Sequence, residues 1–276
     1  MTRRLRVAVL GATGVLGRPV VRQLLWRGHE VRAIVRSPDS AGLPLSPDLA
    51  VLPGDILDAA SLAQPLEGCD AVLHLATAVP KPGSGNDWSL NDRIRREGTR
   101  NLLAAARRAG KPRYVQQSVA MLEADRVVPV LQSALEMEQL VQASALPWIV
   151  LRGGLFYGPG TGRTEDTERA AREGQLRLPG DGTGFVSLVR PDDMAEAVVL
   201  ATEAGVSGAT LPIVDDRPVT WRELLGYVAE LHGAPAPAPG GPVVLPGFRV
   251  SNEPARQVLG WRPRHPDYRS GWSAPL

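Results

Sequence analysis

Short apolar runs of strand length alternate with amphipathic stretches through the first half of the chain, a rhythm that predicts βαβ units around a parallel sheet. Residues 5–10 read as the first buried strand and residues 19–27 as part of the helix that follows it. Residues 31–35 form the next strand, and the apolar run 70–75 another. A long Arg-rich helix spans about 89–109, closed by Gly110 and Pro112. Tyr114 and Val115 open a further strand, residues 136–145 a helix, and residues 148–151 the strand expected to end the main sheet.

Beyond Arg152 the pattern breaks into Gly, Pro and isolated short elements, so the expected division is a Rossmann-type domain over 1–152 and a smaller substrate-binding lobe over 153–276, with part of the chain free to return to the first domain. The lobe is expected to hold a helix over 191–203 and short strands near 185–189 and 209–214. It should also hold a helix opening at Thr220, where Glu223 completes a capping box. The stretch 233–242, rich in Pro and Gly, reads as a stiff irregular connection. The fold class is α/β, a doubly wound parallel sheet with an appended lobe.

Composition narrows the function classes. In 276 residues, 31 basic side chains face 29 acidic ones, a net charge of +2 that argues against a nucleic-acid binder. The Arg-dense helix, with Arg93, Arg95, Arg96 and Arg100 interleaved with Asp92 and Glu97, reads as a solvated face. One cysteine, Cys69, excludes an internal disulfide, and the four dispersed histidines offer no metal site. No run is long and apolar enough to span a membrane, and the N-terminus lacks a signal-peptide pattern, so a cytoplasmic protein without membrane partners is expected.

The first strand runs directly into Gly11-Ala12-Thr13-Gly14-Val15-Leu16-Gly17, and a helix begins inside that turn. Such a turn lets the backbone approach a pyrophosphate and sets it against the positive end of the helix. The second strand ends in Arg36-Ser37, a guanidinium and a hydroxyl where an NAD-preferring site would offer a carboxylate to the ribose diol. The expected cofactor is therefore NADPH/NADP.

These residues resemble the extended and atypical branch of the short-chain dehydrogenase/reductase family, which includes nucleotide-sugar epimerases and NmrA-like proteins. Further matching pieces are Gly54-Asp55-Ile56, His74-Leu75-Ala76, Glu97-Gly98-Thr99-Arg100-Asn101, Arg152-Gly153-Gly154-Leu155-Phe156-Tyr157-Gly158-Pro159, Asp192-Asp193-Met194-Ala195 and Leu259-Gly260-Trp261. The resemblance implies that Asp55 and Ile56 border the adenine, that Leu75, Ala76 and Thr77 run beside the pyrophosphate and ribose, and that Gln117 and Gly153, Gly154, Leu155 and Phe156 lie near the nicotinamide. The family's Tyr-x-x-x-Lys pair, which protonates the carbonyl oxygen, is absent: Val130 and Ala134 stand in its two places, and Arg95 stands at the helix asparagine. Ser118 is the candidate for the family serine, with Val119 in that place under a second register.

A reductase survives the loss of its general acid if the substrate polarises its own carbonyl, because orientation supplies about 7–11 kcal/mol against 10²–10⁴-fold for acid catalysis. A phenol beside a cyclic ketone meets that condition. The resemblance thus points to an NADPH-dependent ketoreductase of an aromatic polyketide, of the kind that tailors angucyclinone antibiotics, with Met121, Leu122, Phe156, Tyr157 and Phe185 suited to a flat ligand. The alternative is an NmrA-like regulator without chemistry. A homodimer is left open.

Overall fold

The computed structural model describes residues 3–80, 87–124 and 128–275. Along the chain lie β1 (Arg6–Leu10), α1 (Gly17–Trp26), β2 (Glu30–Val35), β3 (Leu49–Pro53), the single turn α2 (Ala63–Leu66) and β4 (Ala71–His74). Then come α3 (Ser89–Arg93), a π-helical turn (Ile94–Gly98), α4 (Thr99–Arg108), β5 (Arg113–Val119), α5 (Gln132–Gln142) and β6 (Trp148–Gly153). The C-terminal part adds β7 (Leu155–Phe156), α6 (Gly162–Arg172), β8 (Arg177–Pro179), β9 (Phe185–Val186), β10 (Leu188–Val189) and α7 (Pro191–Glu203). It closes with β11 (Ala209–Ile213), β12 (Val219–Thr220), α8 (Trp221–Leu231), β13 (Ala238–Gly241), α9 (Glu253–Leu259) and α10 (Tyr268–Gly271).

Seven strands form one parallel sheet in the order β11-β6-β5-β4-β1-β2-β3. After Arg6, β1 is continuously apolar because both of its faces are covered, and Val7, Ala8 and Val9 are fully buried. Alternate side chains of the strands feed two cores. One face packs on α1 and α7 through Val20, Val21, Leu24, Ala195 and Val198. The other packs on α2, α4 and α5 through Leu66, Leu102, Leu103 and Val141. The strand order reverses between β1 and its neighbours β4 and β2, and in open α/β sheets such a crevice is where ligands bind.

The α/β fold class stands, and three expectations for its parts are corrected. Residues 148–151 do not end the sheet: β11 pairs parallel beyond β6, with Ala209 opposite Ile149 and Ile213 opposite Gly153. The helix expected in the lobe, α7, belongs to the main core instead. Its Ala- and Val-rich inner face lies flat against the sheet beside α1, a packing that burial favours over exposure in a small lobe. The stretch 233–242 is not wholly irregular either, since β13 pairs with β8. The lobe proper has a separate core of Tyr157, Val186, Leu188, Leu224, Phe248, Tyr268 and Trp272.

Candidate active site

The carboxyl ends of β1 to β4 bring the expected cofactor residues to one edge of the sheet. After β1 the chain turns at Gly11, whose φ of +86° suits glycine and where a Cβ would lie 2.6 Å from the Ala76 amide nitrogen. A Cβ on Gly17 would collide with the Gly11 carbonyl oxygen. The Gly14 amide donates to that carbonyl at 3.0 Å. Thr13, Gly14 and Val15 are exposed, whereas Leu16 and Gly17 are buried, so Leu16 serves the core. The exposed three line a cleft of about 410 Å³ with Arg18, Arg22, Gly42 to Pro44, Pro159, Gly160 and Pro191. A glycine-rich turn at the start of α1, opening on a cleft, fits a dinucleotide's pyrophosphate.

Arg36 and Ser37 are exposed where β2 ends, and Arg36 has no ion-pair partner among the described residues. Beside them the Asp55 carboxylate accepts the Leu57 amide at 2.9 Å, while the buried Ile56 has its carbonyl held by the Asn101 amide group at 3.0 Å. Leu75 continues β4, with its amide on the Leu10 carbonyl at 2.9 Å, and Thr77 is exposed. On the other side of the crevice Gly153 ends β6, and a Cβ on Gly154 would stand 2.8 Å from the backbone at Leu188. Leu155 and Phe156 are half-buried, and Gln117 is half-buried on β5.

Around Val130 and Ala134, the positions that the resemblance assigns to the family's tyrosine and lysine, the structure is apolar. Val119, Val130 and Ala134 meet in one cluster with Leu122 and Leu131. Ser118 does not offer a free hydroxyl to a substrate. It is buried, and its Oγ donates to Glu138 Oε1 at 2.5 Å. Glu138 in turn accepts from Arg152 at 2.6 and 3.0 Å, and Arg152 also reaches Glu123 at 2.5 Å. The successive side chains of β5 point to opposite faces, which sends Ser118 beneath α5 and leaves Val119 with the apolar cluster. Tyr157 is likewise committed to packing: it stacks on Trp272 and donates to the Asp267 carbonyl at 3.0 Å.

A family model for NAD(P)H-binding proteins matches residues 11–200. The chain belongs to this NAD(P)H-binding family, in the extended short-chain dehydrogenase/reductase group. It is 36% identical, over 97% of this chain and 99% of the relative, to a 3-diazoavenalumate denitrifying reductase from a Streptomyces species. It is 31% identical, over 84% of this chain and 77% of the relative, to the 2-alkyl-3-oxoalkanoate reductase of Stenotrophomonas maltophilia. Among solved structures, MoeE5 in complex with UDP-glucuronic acid and NAD superposes with a TM-score of 0.81 at 27% identity, covering 97% of this chain and 96% of that one. The protein is an NAD(P)H-binding oxidoreductase.

One group in this short-chain dehydrogenase/reductase escapes a reading of the sequence as strands, helices and motifs. Beneath the ends of β4 and β5 lie six buried polar side chains: His74, Asn91, Arg95, Thr99, Gln116 and Ser133. His74 Nδ1 sits 2.8 Å from Gln116 Oε1, and burial pushes the imidazole pKa down to about 4, so the ring is neutral in ordinary buffers. Arg95 was expected on a solvated face and is 6% exposed. The apolar stripe Ile94, Gly98, Leu102 and Ala106 held the signal that would have placed it inward.

Proposed function

We propose that this oxidoreductase is an NADPH-dependent reductase of a small aromatic substrate that activates its own reacting centre. The observation that carries the reading is the apolar cluster of Val119, Val130 and Ala134, which puts no proton donor where the family places one. When bound, NADPH supplies a hydride. The amides of Thr13 and Val15 would hold the pyrophosphate against the bare backbone of Gly14, Arg36 and Ser37 the 2′-phosphate, and Asp55 and Ile56 the adenine. Leu75, Ala76 and Thr77 would run along the ribose. Gln117 and the Gly153-Gly154-Leu155-Phe156 segment would flank the nicotinamide, with the lobe built around Tyr157, Leu188, Leu224 and Trp272 covering the substrate.

The first substrate class is a cyclic ketone of an aromatic polyketide with a phenol beside the carbonyl, of angucyclinone type. The carbonyl carbon gains the hydride and its oxygen takes the phenol's proton, so the protein orients and excludes water and supplies no acid. A second class is favoured by the diazo-substrate relative at 36% identity: an aromatic diazonium, which gains hydride at the ring carbon as dinitrogen leaves. That reaction needs no proton from the protein, which again suits an apolar cluster at this position.

The test is label transfer from NADPH deuterated at the transferable position to three sets: phenol-flanked cyclic ketones, the same ketones as methyl ethers, and aryl diazonium salts. Deuterium in the products of the first or third set, and none in the second, is the expected result. Equal transfer to the methyl ethers overturns the self-activation reading. NADPH binding without transfer to any set overturns both substrate classes.

A further inference from the structure

Arg95 is a buried cation that forms no ion pair among the described residues. Its Nη1 donates to Ser133 Oγ at 3.1 Å, and no other hydrogen bond or carboxylate within 4 Å accompanies it among the described residues. The acids around it are spent elsewhere. Asp92 pairs with Arg96 at 3.5 Å, Glu136 also binds Arg96, and Glu97 binds Arg93 at 3.2 Å. From the strands, the nearest titratable group is His74, which is neutral and already engaged at Nδ1. Guanidinium keeps its charge even when desolvated, and here it is offset only by the longer-range pull of Asp92, which is itself paired with Arg96.

Two further atoms nearby are unsatisfied. Asn91 Nδ2, on the same helical face one turn before Arg95, and His74 Nε2 are buried without a partner among the described residues. Ser133, which holds Arg95, is next to Ala134 and three residues after Val130, so the cation stands against the helical turn that lacks the catalytic pair. Its spare donors form a planar fork suited to an oxyanion.

We propose that Arg95 is the oxyanion-recognition group of the substrate site and that its ligand is the phenolate of the aromatic substrate. The inference rests on the self-activating substrate proposed above and says what happens to the phenol. As the C–H bond forms, the carbonyl π pair becomes an alkoxide, the alkoxide takes the phenol's proton, and the phenolate left behind is held by Arg95 until water reprotonates it.

The probe is 4-nitrophenol, titrated by its phenolate absorbance on the protein saturated with NADP. The expected result is a bound titration midpoint at least one pH unit below that of the free phenol, equivalent to a tenfold or greater preference for phenolate. Arg95→Met should return the midpoint to the free value and Arg95→Lys should restore part of the shift. Arg95→Met should also unfold at a temperature equal to or above the wild type, because it removes a desolvated cation rather than a brace. An unshifted midpoint in the wild type, or an undiminished shift in Arg95→Met, overturns the proposal. So does a marked fall in the unfolding temperature of Arg95→Met, which would make the arginine structural. A shifted midpoint beside failed label transfer keeps the oxyanion site and removes the reductase substrates, so the two readings fail separately.

Discussion

At the scale of single residues, Arg36 has the most direct consequence. An exposed guanidinium at the end of β2 suits a 2′-phosphate through charge-assisted hydrogen bonding, and on the proposed NADPH reading Arg36→Asp should lower the NADPH-to-NADH ratio of kcat/KM at least tenfold, measured with both coenzymes. Glu138 acts on stability. Removing it leaves Arg152 with Glu123 alone and the Ser118 hydroxyl without its acceptor, so Glu138→Ala should cost about 1–3 kcal/mol in urea unfolding. Asp215 gives a pH signature, since burial pushes its carboxyl up to about 8 and its Oδ2 has no partner. The folded state then holds a proton that the unfolded chain releases near pH 4. Stability should fall as pH rises from about 4 to about 8, by on the order of a few kcal/mol, and level off above. Asp215→Asn should flatten that slope in denaturation curves taken across the range. Single residues were also where the sequence was least complete. Val130 and Ala134 were placed through the resemblance to the family's helix, but the commitment of Ser118 to Glu138 depends on which face of β5 meets α5. The burial of Arg95 depends on which arginine of a crowded run turns inward.

At the scale of elements, the glycine turn, its strand and its helix were readable because each carries its own local chemistry: an apolar run, an obligatory glycine, a helix start. The π-helical turn over Ile94–Gly98 was not, since an extra residue in a helical turn has no compositional marker. It has a task here. A Cβ on Gly98 would come within 3.0 Å of Ile56, and Asn101 one turn on holds the Ile56 carbonyl, so this helix braces the loop proposed to border the adenine. Asn101→Ala should raise the KM for NADPH several-fold with little change in kcat, read from initial rates at saturating substrate. β3 was missed for a related reason: residues 49–53 sit on the sheet edge, partly exposed, and carry a weak apolar pattern ending in Pro53.

At the scale of the whole molecule, the sequence placed the fold class and misjudged where the sheet ends, because nothing local in residues 209–213 says that they pair with β6 across an intervening lobe. The C-terminal segment is tied back as firmly. The fully buried Arg190 donates to the carbonyls of Gly271, Ala274 and Pro275, and the Trp261 indole donates to that of Asp193 at 3.0 Å. A fragment ending at Arg152 should therefore show no cooperative thermal unfolding by circular dichroism, for it lacks β11, α7 and their half of the main core. The late arrival of β11 also shapes how the chain is made. While the ribosome is still adding the lobe, β6 presents a bare row of amides and carbonyls flanked by apolar side chains, a template for pairing with another nascent chain until β11 emerges to cover it. Slowing translation just before codon 209 should lengthen that window, and the yield of soluble protein would then be set by chaperone supply rather than by the stability of the finished enzyme.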